Sequence, residues 1–159
     1  MDMHDAPSRL VFTKGSGKFD TMTVVRDGRV EKIDCPKQGI IPHDMVHYAV
    51  EHTLQHRGFL RRVMDGEAAT FQMQPEAVSE AVERLVEVFQ GDAWSGSGSP
   101  AQEMIDLYAV TCAARDCVAL KISAAEIDAV RARIASLEAR WQALSIGGSL
   151  SLAFEPQHA

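Results

Sequence analysis

The hydrophobic spacing of the chain changes period once. Up to about residue 35 apolar and polar positions alternate, the period of a strand with one buried face; beyond residue 42 apolar residues recur at three and four. "SRLVFTK", "FDTMTVVR" and "RVEKID" read as three strands within residues 8–35. In the second, Phe19, Thr21, Thr23 and Val25 share one face, while Met22 and Val24 take the other. Asp27-Gly28 between the second and third is a hairpin signal, because a type I′ turn needs positive φ at its central residues. The "KGSGK" joining the first two strands is Gly-rich like a phosphate-cradling loop. It lacks the P-loop spacing and a following helix, so a plain hairpin is expected.

The helical period opens at Pro42, suited to a first helical position, with Asp44 complementing the helix dipole in the first turn. A helix is predicted over residues 42–57, with Gly58 as its stop, followed by a turn-rich or short helical connection, "RGFLRRVMDGEAATF". Residues 75–90 form a second helix whose buried stripe is Val78, Ala81, Val82, Leu85, Val86 and Phe89. After a flexible "GDAWSGSGSP", the order of Ser99, Pro100 and Gln102 suggests a capping box for a helix over 100–121. Ser123 and Glu126 repeat that signature for 123–145. Ile127, Val130, Ile134, Leu137, Trp141 and Leu144 make one seam there, regular enough for a homodimer interface between helical hairpins. Gly147-Gly148 ends that helix, and "SLSLAF" is a candidate return strand. The expectation is one α+β domain over 1–159. A small antiparallel β-meander of about three strands, with a C-terminal fourth as a further candidate, packs with about four helices.

Composition narrows the function classes. A chain of 159 residues can bury a real core, and 46% hydrophobic with 24% charged residues is ordinary for a globular protein. A formal charge of −6 and a pI near 5.5 argue against nucleic acid as a partner, and Arg57, Arg61 and Arg62 are too small a cluster to change that. No apolar run reaches the roughly 20 residues of a membrane span, and the acidic, polar N-terminus has no signal core. Cys35, Cys112 and Cys117 are odd in number and scattered, which fits a reducing cytoplasm. Cys112 and Cys117, five apart, are read as small core residues, and Ser95 to Ser99 as linker.

Chemistry concentrates in "IPHDMVHYAVEH". At about 100° and 1.5 Å per residue, His43 and His47 stand roughly 40° apart and one turn along, so both imidazoles can reach one ion. By resemblance to the HExxH helix of zinc peptidases Asp44 holds the position of a general base, and Glu51 is placed to fix the His47 tautomer from behind. A third ligand has no obvious source. Cys35, Asp65 and Glu67 are candidates, whereas Glu80, Glu83 and Glu87 sit mostly opposite the apolar stripe of their helix. His52 and His56 repeat the spacing on the opposite flank, so it arises without a site too.

Residues 40–67, "IIPHDMVHYAVEHTLQHRGFLRRVMDGE", with the hairpin before them, resemble a family of small uncharacterised bacterial proteins built around a PHDxxHxxVE block. The resemblance covers roughly the first half of the chain, matches at His43, Asp44, His47 and Glu51, and implies no established activity. A weaker resemblance is to zinc peptidases with the HExxH helix, which would imply zinc on His43 and His47; Asp44 stands where they carry glutamate. The His-Asp pair is also similar to metal-dependent phosphohydrolases, but the one upstream histidine is His4 in the N-terminal tail. Two readings follow: a zincin-like, zinc-binding hydrolase, or a non-enzymatic accessory or protein-interaction module, dimeric, whose histidine helix is structural.

Overall fold

The computed structural model describes residues 8–26, 28–38, 40–67 and 75–154. Strands β1 (Arg9–Thr13), β2 (Phe19–Arg26) and β3 (Arg29–Pro36) are followed by helices α1 (His43–Leu54), α2 (Phe59–Met64), α3 (Ala77–Trp94), α4 (Ala101–Ala114) and α5 (Ala124–Gln142), and then by β4 (Ser149–Ala153). The sheet is antiparallel throughout in the order β3-β2-β1-β4, so the last strand returns to close the meander on the β1 side. This is the expected α+β fold, with the candidate fourth strand present and one helix more than the periodicity suggested.

Register explains which sheet face is dry. Leu10 sits between Val24 and Leu152, and Phe12 between Met22 and Leu150, so the inward residues of three strands form one apolar patch. All six are buried. Each contributes on the order of 1.5–3 kcal/mol through removal from water. The helical layer covers that patch, with α1 at its centre, packed against α2, α3 and α5. The seam Ile127, Val130, Ile134, Leu137 and Trp141 is buried inside the chain, so the surface that suggested a dimer is used within one molecule.

Several boundaries differ from the sequence reading. The first helix ends at Leu54 because Gln55 takes a left-handed conformation (φ 57°), which puts His56 outside it and dissolves the second histidine pair. The connection resolves as α2 over Phe59–Met64, beyond which residues 68–71 of the quoted stretch lie outside the described residues. α3 continues through Gly91 to Trp94, since Gln90 and Asp92 are buried on either side of the glycine. The Ser99 capping box does not form: Pro100 is the N-cap, and the Ser99 amide donates to Asp92 Oδ1 (3.2 Å). α4 stops at Ala114, where Asp116 turns left-handed (φ 54°) and the Cys117 amide donates to the Cys112 carbonyl, a Schellman closure. The Ser123–Glu126 box is present in both directions. "KGSGK" is a hairpin in which Lys14 Nζ donates to the Trp141 and Leu144 carbonyls at the end of α5. Asp27 and His4 lie outside the described residues. Among the described residues no helix is long and apolar enough to cross a membrane.

Candidate metal centre

α1 is hemmed in on all sides. The consecutive residues Met45 to Glu51 are all buried, so this is the central helix of the layer rather than a partly solvated one with polar flanks. His47 (2% exposed) and Glu51 (0%) are therefore polar groups deep in the core, which must be satisfied internally.

They are satisfied in both directions. Glu51 closes the N-terminus of α2: Gly58 N (3.0 Å) and Arg61 N (2.9 Å) donate to its Oε1, and Leu60 N (3.1 Å) to its Oε2. Those are amides a helix start leaves without intrahelical partners. The same Oε2 lies 3.0 Å from His47 Nδ1. Gly58 is required by space, because a Cβ there would stand 2.6 Å from Glu51 Cδ and 2.7 Å from Val82 Cγ1. Glu51 thus holds His47 from behind, as its place one turn on led us to expect, and it also anchors the following helix.

The other ring nitrogens meet a carboxylate from α3. Glu83 Oε2 lies 2.6 Å from His47 Nε2, and Glu83 Oε1 lies 3.2 Å from His43 Nε2. His43 Nδ1 is bound in turn to Gln90 Oε1, two turns beyond Glu83 on α3. The imidazoles stand edge to face with centroids 4.9 Å apart, and Phe59 of α2 closes on His47 at 5.9 Å. Among the described residues, His43, His47 and Glu83 bring ligand atoms within 4.8 Å of one another.

Charge follows geometry. Burial alone disfavours a charged His47, but the hydrogen bonds to Glu51 and Glu83 and their negative charges outweigh it and push the ring up to about 10. Burial likewise works against an ionised Glu83, and contact with both histidines overrides it and holds the carboxyl well below its usual range. The hydrogen bond to Glu83 raises His43 against the opposing effects of burial and of neighbouring His47. With protons on the rings this is a closed ion-pair network; once the Nε2 protons leave, two nitrogen lone pairs and a carboxylate converge.

The remaining candidates fall elsewhere. Asp44 is not in the convergence, and its Oδ2 receives the Cys35 thiol at 3.5 Å, towards β3. Burial pushes Cys35 far above its ordinary pKa, and Asp44 pushes the same way, which disfavours the thiolate a metal would need. Asp65 and Glu67 are engaged by Arg57, and Glu67 also by Arg62, so both carboxylates are taken up by the arginines beside them. Glu83, which the sequence reading set aside, is the carboxylate that meets both histidines. Glu83 is i,i+3 to the buried Val86, roughly 60° round the helix, so it borders the apolar stripe rather than opposing it. Glu80 and Glu87 are exposed. That proximity to Val86, with Gln90 two turns on, was the available signal. Both tyrosines serve the frame: Tyr108 Oη donates to the Ala81 carbonyl and Tyr48 Oη to that of Ala153.

No family model, curated protein or solved structure matches this chain.

Proposed function

We propose that His43, His47 and Glu83 form a divalent-metal site, with zinc the best-suited ion, in a zincin-like hydrolase. One observation carries this reading. Both Nε2 atoms face one carboxylate, while both Nδ1 atoms are tethered to oxygen acceptors, Gln90 and Glu51. Such tethering sets the tautomer and orientation of metal-binding histidines. Two histidines and a glutamate are also a known catalytic zinc set that leaves a fourth position open. Tetrahedral ligands about 2.0–2.1 Å from zinc stand roughly 3.3 Å apart; His43 Nε2 and Glu83 Oε1 are separated by 3.2 Å, and the three ligand atoms lie within 4.8 Å of one another.

When bound, zinc would supply Lewis acidity and ease the ionisation of water near neutral pH. In this reading Glu51 would keep His47 oriented, whereas Asp44, the base expected from the sequence, is turned to Cys35 outside the convergence and is given no role.

The second reading, a structural histidine helix in a non-enzymatic protein, draws on the 2.6 Å contact between His47 and Glu83, which satisfies the network without an ion. Elemental analysis of protein prepared without a metal-binding tag separates the two. Near-stoichiometric zinc is expected, lost in the His43→Ala/His47→Ala double variant. Zinc at 100 times its Kd should raise stability by about 2.7 kcal/mol. Metal-free protein whose melting temperature ignores added zinc would leave the structural reading standing.

A further inference from the structure

Beside the His/Glu cluster lies a cleft of about 370 Å³, formed where α2, the first turns of α3 and the end of α4 meet. Two residues belong to both places. Glu83 lines the cleft while binding His43 and His47, and Phe59 lines it while packing edge-on against His47. The cleft therefore opens on the face of the cluster, and its size is that of a small-molecule site.

Its charged walls are unevenly committed. Glu83 is occupied by the histidines, and Glu80 is exposed at the rim. Against these stand two guanidinium groups. Arg84 lines the cleft and pairs with Glu87 through Nη2 (3.0 Å). Arg115, exposed at the C-cap of α4, makes no ion pair among the described residues. Arginine is the side chain best matched to a planar or tetrahedral oxyanion.

We infer that this cleft binds a small organic molecule ending in an oxyanion, a carboxylate or a phosphate monoester, with Arg84 and Arg115 taking the oxyanion and Phe59 the apolar body. Such a ligand places its neighbouring bond beside the cluster. In that sense the inference names a substrate class for the proposed hydrolase and rests on that reading, although binding itself needs no metal. Selectivity for an anion over a neutral isostere comes from the two guanidinium groups.

The test is an amide-resolved NMR titration of the full chain, metal-free and with zinc added, using phenylacetate, phenyl phosphate and neutral phenylacetamide. At least one anion should bind with shifts at Phe59, Ser79 and Arg115, and at least tenfold more tightly than the amide. The preferred anion tells carboxylate from phosphate. Arg115→Glu, at an exposed position, should weaken that anion at least tenfold with the melting temperature unchanged, and Arg84→Met should do the same if it folds. Equal binding of anion and amide, no binding, or indifference to Arg115→Glu overturns the inference. Binding that survives in protein unable to load zinc supports the cleft and sinks the metal reading. Zinc loading without anion binding does the reverse.

Discussion

His47 and His52 lie five residues apart on one helix and are held in opposite ways. His47 faces α2 and α3 and meets two carboxylates, which raise its affinity for a proton. His52 faces α5 and the last strand. It stacks on Tyr48 (centroids 4.9 Å, 17°), with Arg133 Nη2 at 3.5 Å from its Nδ1. Burial, then the charges of Arg133 and Arg61, lower its pKa. The residue type and the helix are the same; the partner element sets the sign. A histidine is held as an ion-pair partner where the opposing helix presents an acid, and as a packing group where it presents an arginine.

Breaking the acidic side should have the largest effect. Glu51→Gln removes a buried carboxylate that holds three amides and a histidine, and it should cost about 3–5 kcal/mol in urea denaturation. Any zinc affinity should fall roughly 10- to 100-fold with it. A loss under 1 kcal/mol would show that α2 does not depend on this anchor. Glu83→Gln takes away a proposed ligand, so zinc affinity by competition titration should drop more than about 100-fold, beyond what loss of an outer partner costs. That equals about 2.7 kcal/mol of binding, and unchanged affinity would remove Glu83 from the site. Gly58→Ala forces a methyl into Glu51 and Val82, and it should destabilise by about 1–3 kcal/mol without touching a ring nitrogen.

The arginine side should respond least. His52→Gln is expected to change stability by no more than about 1 kcal/mol and leave zinc content unaltered. Loss of zinc in that variant would break the comparison. Ring-nitrogen NMR of metal-free protein sharpens it. His47 should keep its second proton from pH 6 to 9, whereas His52 should gain one only as the pH falls below about 6.5. The sign for stability follows. His47, raised in the fold, contributes stabilisation that is full below about 6.5 and lost as pH climbs through about 10. His52, lowered in the fold, contributes stabilisation lost on acidification below about 6.5. Titration of both rings near the ordinary value would mean that the opposing helices do not set their charge.

How much of this was legible depends on the range of the interaction. The alternation in β1 and β2, the return strand at "SLSLAF" and the Ser123–Glu126 cap are written in neighbours along the chain, and each appears in the structure. Helix ends were less legible. Gln55 and Asp116 leave the helix in a left-handed conformation that no glycine announces there. Within the candidate site, the relations among His43, His47 and Glu51 were readable because all three belong to one helix, where 3.6 residues per turn sets their directions. The relation to Glu83 was not, since it joins two helices across 36 residues of sequence.

The amino-acid sequence alone therefore determined an α+β chain, the alternation of its first strands, and a helix whose two histidines can share a partner, with a glutamate behind one of them. Those features follow from local periodicity. Only the tertiary structure decided that α1 is central, that Glu83 and Gln90 meet the histidines from α3, and that Glu51 serves α2 as well as His47. Packing angles and loop paths select which polar edge of one helix meets which edge of another, and that choice is settled by the whole core at once.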